Sequence, residues 1–373
     1  MPETPNVLVC PLDWGLGHAT RCVPIIRHLI SLKCRVLIAG SGRSLNFLRS
    51  EFAEASFIHL PSYRFFYSAK NRMARSMLLS TPMILWGIFC EHRRLKKIIR
   101  KHQVHAVISD NRFGLWNKSI PCVYMTHQVR IKTGPGLRFL EPVLHKINRL
   151  FIKKFNRLWI PDNENNPNLS GELSHQALAG MNHQFIGPLS RFSGSEPIDD
   201  QPEEESCDIL ALISGPEPQR SIFEAMIVEQ ASTVQKKIIL LRGLPGGKTN
   251  LEINNNLSIY PHLESDRLKR LIVNAGIVVC RSGYSSIMDL AVLGKKAFFV
   301  PTPGQTEQEY LAKYLREHGI CNFSPQGEFK LAEVTKQSDL FTGFRGFPIE
   351  NGLEKALAEM IKSINQSVKG LSR

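Results

Sequence analysis

The sequence predicts an α/β protein built from two Rossmann-like domains in tandem. Three observations lead there: a length of 373 residues, a recurring alternation of short apolar runs with helix-length amphipathic stretches, and one acidic interruption near the middle. A chain this long exceeds the usual single domain, because one hydrophobic core stops growing at roughly 250–300 residues.

In the first half the apolar runs are NVLVCPL (6–12), CRVLIAG (34–40), SFIHLP (56–61), HAVISD (105–110), PCVYMTH (121–127), RLWIPD (157–162) and HQFIGP (183–188). Each has strand length, and segments such as ATRCVPIIRHLISL (19–32) between them have helical spacing despite Pro24. Strands separated by helices imply βαβ units and a parallel sheet. The stretch RFSGSEPIDDQPEEES (191–206) is polar, acidic and proline-containing, the composition of a linker. Beyond it the pattern restarts with CDILALIS (207–214), KKIILLRG (236–243), LSIYPHL (257–263), GIVVC (276–280) and KAFFVP (296–301). The predicted organisation is therefore 1–190, a linker at 191–206, 207–349, and a closing helix within 350–373 that carries Leu353, Leu357, Met360, Ile361 and Ile364.

Composition narrows the function. The eight cysteines are scattered with no C-x-x-C pair, and several sit in apolar runs, which fits a reducing compartment better than a disulfide framework or a zinc site. The N-terminus shows neither the basic nor the apolar region of a signal peptide. Formal charge is +14 and is unevenly spread: residues 1–190 carry 26 Lys/Arg against 10 Asp/Glu, residues 191–373 carry 21 against 23. Only the first half is basic, so only that half is expected to meet an anionic partner. Nucleic acid is the weakest such partner, since no recognised nucleic-acid motif accompanies the charge. Within 63–102, ten Lys/Arg and one Glu surround the uncharged run MLLSTPMILWGIFC (77–90). Fourteen residues are fewer than the roughly 20 needed to cross a bilayer. The run suits insertion at an anionic membrane surface, and equally a buried core helix with a solvated basic face. A second cluster at 130–157 sets eight basic residues against Glu141.

The first strand runs into DWGLGHATR (13–21). Gly15 and Gly17 permit a tight turn and close approach of a ligand. Thr20 replaces the third glycine of a dinucleotide fingerprint, and the second strand ends in AGSGR without a ribose-binding acid, so a pyridine-dinucleotide site is not expected. His18 closes the turn at a helix N-terminus and at the carboxyl edge of the sheet, where a neutral imidazole can take a proton from a hydroxyl. A capping or packing histidine is the competing reading. Asp110, ending HAVISD, can orient that imidazole or simply cap the following turn.

In the second half, VVCRSGYSSIMDLAVLGKKAFFVPTPGQTEQEYLAKYL (278–315) places the turn Arg281-Ser282-Gly283 before a helix that starts near Tyr284. A helix N-terminus with free N–H groups favours a diphosphate, and Arg281 can add charge. Asp289 lies about one and a half turns in, where a carboxylate can accept from both ribose hydroxyls. Gln308 and Glu309 fall in the first turn of the next helix.

This segment resembles the donor-binding signature of glycosyltransferase family 28, the MurG-like GT-B glycosyltransferases, with a related pattern in UDP-glucuronosyltransferases. The resemblance implies a GT-B fold, whose two Rossmann-like domains carry parallel sheets facing across a cleft, with an acceptor-binding N-terminal domain. It implies that Ser282 and Gly283 hold the diphosphate, Asp289 the ribose, and Gln308 and Glu309 the transferred sugar. By the same likeness ISGPEPQR (213–220) contributes Ser214, Gly215 and Arg220 to the phosphates, YPHL (260–263) puts Leu263 beside the base, and WGLGH makes His18 the catalytic base. Three positions depart from the family: Asp289 stands where Glu is usual, Gln308-Glu309 replaces a Gln pair, and DWGLGH replaces a triple-glycine form, which points away from the lipid II precursor as acceptor.

No Asp-x-Asp ends a strand, the nearest approach being Asp162-x-Glu164, so no metal and no cofactor are expected besides the UDP-sugar co-substrate. The expected activity is inverting transfer of a hexose from a UDP-sugar such as UDP-N-acetylglucosamine to a membrane-associated or cell-envelope acceptor. The expected setting is the cytoplasm, peripheral on the membrane. A UDP-sugar 2-epimerase-like enzyme and a non-catalytic polyanion- or nucleotide-sugar-binding subunit remain the alternatives.

Overall fold

A computed structural model describes residues 4–62, 73–176, 178–194, 206–244, 251–254 and 256–371. Most of the predicted linker and residues 63–72 of the basic cluster lie outside the described residues. The chain divides into two compact units, Met1–Arg191 with Ile349–Arg373, and Phe192–Pro348.

The first unit holds seven parallel strands: β1 (Asn6–Cys10), β2 (Arg35–Gly40), β3 (Ser56–His59), β4 (Ala106–Asp110), β5 (Cys122–Met125), β6 (Arg157–Ile160) and β7 (His183–Phe185). Their order is β3-β2-β1-β4-β5-β6-β7. Val7, Leu8, Val9 and Cys10 are all buried, which is why β1 reads as an unbroken apolar run: a central parallel strand is covered on both faces. The helices are α1 (Leu16–Ser31), α2 (Gly42–Glu51), α3 (Met73–His102), α4 (Glu141–Ile152) and the single turn α5 (Glu172–His175). The chain reverses its winding between β1 and β4, so the loops after these two strands flank a switch point, the usual ligand position of an open α/β sheet.

The second unit contains β8 (Ile209–Leu212), β9 (Ile238–Leu241), β10 (Leu251–Asn254), β11 (Leu257–Tyr260), β12 (Ile277–Cys280), β13 (Ala297–Phe299) and β14 (Asn322–Phe323), with α6 (Gln219–Ala231), α7 (Ser265–Asn274), α8 (Tyr284–Val292), α9 (Thr306–Glu317) and α10 (Val334–Ser338). The order is β10-β11-β9-β8-β12-β13-β14, parallel except for β10, and the switch lies between β8 and β12. All twelve sequence-read strands form. The two missed, β10 and β14, are short edge strands with asparagines and little apolar signal.

The last helix, α11 (Leu353–Leu371), belongs to the first unit, although 157 residues of the second unit intervene in sequence. Its register buries Leu353, Ala356, Leu357, Met360 and Ile364 along one stripe. The entering chain is fastened by Glu350, whose N–H donates to Asn163 Oδ1 at 3.0 Å while its carboxylate accepts the N–H of Glu164 at 2.6 Å.

Candidate active site

The turn after β1 is shaped by its glycine and its aspartate. Gly15 caps α1 at φ +147°, a conformation that L side chains rarely adopt, and the backbone then enters the helix at Leu16. Asp13 accepts the Ser41 hydroxyl at 3.1 Å and the Ser44 N–H at 3.3 Å, tying the turn to the start of α2. Gly17 and His18 therefore occupy the first turn of α1. The imidazole of His18 faces Asp110 at the carboxyl end of β4, with Nδ1 3.0 Å from Oδ2. The predicted pairing across 92 residues of sequence thus forms.

Two further residues complete this cluster. Arg21, one turn beyond His18, donates from Nε to Asp110 Oδ2 at 2.9 Å and from Nη2 to Oδ1. Its Nη1 lies 3.2 Å from Nδ1 of His127, which follows β5. Asp110, Arg21 and His127 are buried, whereas the His18 side chain keeps 18% of its surface exposed. Among the described residues nothing hydrogen-bonds Nε2 of His18. Burial, then Arg21 and His127, push the His18 imidazole below its ordinary value against the pull of Asp110. Burial opposes ionisation of Asp110, but Arg21 and His18 outweigh it and hold the carboxyl below the usual carboxylate range. The cluster is thus a neutral imidazole with one nitrogen accessible and a permanent ion pair behind it. Arg21 and His127 were missed in the sequence; the only local hint is that Arg21 stands at i+3 from His18, on the same helix face.

In the second unit the parallel strands bring the loops after β8, β12 and β13 to one edge. Gly283 caps α8, and the N–H groups of that first turn have no partner inside the helix. Ser214 and Gly215 follow β8 and are exposed, and Gly215 takes φ +108° where a Cβ would lie 3.6 Å from the Thr302 hydroxyl. Asp289 is half-buried on α8, and Leu263 is buried after β11.

Several side chains point elsewhere than the sequence suggested. Arg281 was expected to lend charge to a diphosphate, but its guanidinium turns inward. It donates to the carbonyls of Val300 (2.9 Å), Pro301 (3.2 Å) and Gln219 (2.8 Å) and to Gln326 Oε1 (2.6 Å), and lies 4.3 Å above the Phe223 ring. Burial lowers its pKa to about 10. The loop carbonyls at this sheet edge need donors, and Arg281 supplies them. Arg220 is likewise engaged, by Glu217 at 2.6 Å and Glu224 at 2.7 Å; burial opposes its charge but the two carboxylates raise its pKa overall. The Ser282 hydroxyl is buried and donates to the Gln308 carbonyl at 2.8 Å. Gln308 accepts the Thr302 N–H at 2.8 Å, and Glu309 accepts that of Gly304 at 3.0 Å. These groups build the loops at this edge of the second sheet. Asp162 is also internal: it accepts the N–H groups of Leu169 and Ser170, each at 2.9 Å. Among the described residues no cluster of three or more His, Cys, Asp or Glu has metal-holding geometry. All eight cysteines are unpaired.

The helix bearing the uncharged run is amphipathic rather than a buried core helix. On α3, Ile88, Glu91, Leu95 and Ile98 face inward, while Met83, Leu85, Trp86 and Phe89 are exposed, Trp86 by 66%. Arg93, Arg94, Lys96 and Lys97 follow on the exposed surface. The side chains of 77–81 lie outside the described set. On α4, Val143, Ile147 and Leu150 form a second exposed stripe beyond Phe139. Phe151 of α4 packs at a tilt against Phe113 with ring centroids 5.2 Å apart, and Phe113 packs with Ile84 and Ile88 of α3, so the two helices share one small core. Among the described residues no helix is long and apolar enough to cross a membrane.

Two such α/β units in one chain, each with its switch point marked by a Gly-containing turn into a helix, are the components of a GT-B fold. The Glycosyltransferase family 28 C-terminal domain matches residues 222–364. A Caldicellulosiruptor saccharolyticus UDP-N-acetylglucosamine–N-acetylmuramyl-(pentapeptide) pyrophosphoryl-undecaprenol N-acetylglucosamine transferase is 31% identical over 314 residues, 79% of this chain and 78% of that one. The same enzyme of Sulfurihydrogenibium is 27% identical over a shorter match that spans 42% of each chain. Among solved structures, Acinetobacter baumannii MurG superposes with a TM-score of 0.56 at 12% identity, covering 96% of this chain and 99% of that one. The chain belongs to glycosyltransferase family 28.

Proposed function

We propose that this protein is an inverting glycosyltransferase that moves a sugar from a UDP-sugar to a hydroxyl of a membrane-associated or cell-envelope acceptor, with no metal ion. The observation that carries the reading is the His18–Asp110 pair at the switch point of the first sheet, with Nε2 of the imidazole open. In this reading Nε2 takes the acceptor proton as the acceptor oxygen bonds the anomeric carbon and the bond from that carbon to UDP breaks. Attack from the face opposite the leaving group inverts the configuration.

The second unit supplies the donor site. Main-chain N–H groups at the start of α8 neutralise the diphosphate as it departs, which is the role a metal would otherwise fill. Ser214 and Gly215 border the phosphates, Asp289 takes the ribose hydroxyls and Leu263 the base. UDP-N-acetylglucosamine, named in the relatives' activity, is the first donor to test. The acceptor is expected at a cytoplasmic membrane face, because the exposed apolar residues of α3 sit beside four exposed cations.

Thermal stability should rise with UDP in the presence of EDTA, since a ligand that binds only the folded state stabilises it. Asp289→Ala should abolish most of that rise. His18→Ala should keep it while turnover falls by roughly 10²–10⁴, the range for a positioned base. A His18→Ala enzyme that transfers sugar at the normal rate would falsify the mechanism.

A further inference from the structure

Arg21 stands between Asp110 and two imidazoles, and its position decides which nitrogen of His18 is left to react. Its Nε and Nη2 grip both oxygens of Asp110, a fork that fixes the plane of the carboxylate. The same Nη2 lies 2.8 Å from Nδ1 of His18, the atom that is also 3.0 Å from Asp110 Oδ2. One ring nitrogen cannot donate to the carboxylate and accept from the guanidinium at once. If Nδ1 donates, Nε2 keeps its lone pair and can take a proton. If Nδ1 accepts, the proton sits on Nε2 and the ring is useless as a base.

We propose that Arg21 is a positioning residue of the transfer reaction: its fork clamps Asp110 so that Oδ2 takes the Nδ1–H of His18, leaving Nε2 as the proton acceptor. The inference rests on His18 being the base. One Nη2 hydrogen is already given to Oδ1, and the lone pair of an acceptor Nδ1 would face the anionic Oδ2, so the arrangement with Nδ1–H is the favoured one. Among the described residues, the groups around the ring include Arg21 of α1, Asp110 of β4 and His127 after β5, with the thiols of Cys22 and Cys10 neighbouring this buried group. Burial first, and the fixed charge of Arg21 with it, lower the His18 imidazole below its ordinary value against the pull of Asp110.

The test follows the imidazole itself in the full chain labelled with ¹⁵N-histidine, the His18 signals being assigned with His18→Gln. Wild type should show the Nδ1–H form. In Arg21→Met the midpoint of His18 should rise by roughly one pH unit or more as the neighbouring cation is lost, and both tautomers should appear. UDP release from UDP-N-acetylglucosamine should lose at least about tenfold in kcat, with its acid limb moved up and the donor KM unchanged. Arg21→Lys keeps the charge without the fork, so its midpoint should stay near wild type while the Nδ1–H share and kcat fall. A folded Arg21→Met protein with wild-type tautomer and midpoint would overturn the proposal. If that variant does not fold, an Arg21→Lys protein with wild-type tautomer and kcat overturns it instead. Normal UDP release by His18→Gln would sink the base reading alone, and the imidazole spectra would still decide the clamp.

Discussion

Replacing Asp110 with Asn removes one charge and almost no volume, so it isolates the electrostatics of the first site. Asp110 is fully buried and Arg21 nearly so, and Asp110 accepts from Arg21 through both oxygens and from His18 through one. Asn keeps a single carbonyl oxygen and turns an NH₂ toward donors already in place. At least one charge-assisted bond, about 1.5–3 kcal/mol, is lost, and the guanidinium is stranded without a counter-ion. Breaking a buried pair in this way costs about 3–5 kcal/mol, a large share of the roughly 5–15 kcal/mol that stabilises a folded protein. All four tryptophans, Trp14, Trp86, Trp116 and Trp159, lie in the first unit, so urea unfolding followed by tryptophan fluorescence reports on that unit. The sign of the pH dependence follows from the same groups. Asp110 has a folded pKa below its unfolded one, so its stabilisation is complete above about pH 4 and is lost as pH falls through the folded value. His18, also lowered, makes the folded unit lose stability as pH falls below about 6.5, where the unfolded chain takes up the proton first. The gap between wild type and Asp110→Asn should therefore narrow as pH falls below about 4, where Asp110 takes up its proton. A loss below about 1 kcal/mol at neutral pH, the scale of an exposed ion pair, would refute the idea of a desolvated pair.

The other expectations concern the second unit and the surface. Arg281→Met should lower both the unfolding midpoint and UDP affinity, because four acceptors around the donor edge lose their donor; an unchanged midpoint with weaker UDP binding would return Arg281 to a direct role at the phosphates. Trp86→Ser with Phe89→Ser should reduce sedimentation with vesicles containing anionic lipid while leaving stability within about 0.5 kcal/mol, since both side chains are exposed. Binding that resists salt and is equal on neutral vesicles would remove the electrostatic contribution of Arg93, Arg94, Lys96 and Lys97.

The strands, their parallel arrangement, the break near residue 191 and both glycine-containing turns were legible from local signals. Each depends on residues within a few positions of one another: a buried parallel strand must be apolar throughout, and the turn into α1 needs a glycine at Gly15, where φ is positive. The positions of His18, Asp110 and Gly283, where a strand ends or a helix begins, were legible for the same reason. What the tertiary structure alone decided is where the long charged side chains go. Arg281 reads as a cation beside a phosphate loop, yet the carbonyls that claim it come from residues 219, 300 and 301. Arg21 reads as a polar helix residue, yet its partner Asp110 is 89 positions away. The uncharged run of α3 could have been core or surface, and packing against Phe113 determined which face was covered. Backbone preference is settled by neighbours in sequence, whereas a buried guanidinium must find acceptors in space, and only the folded chain brings those acceptors within reach.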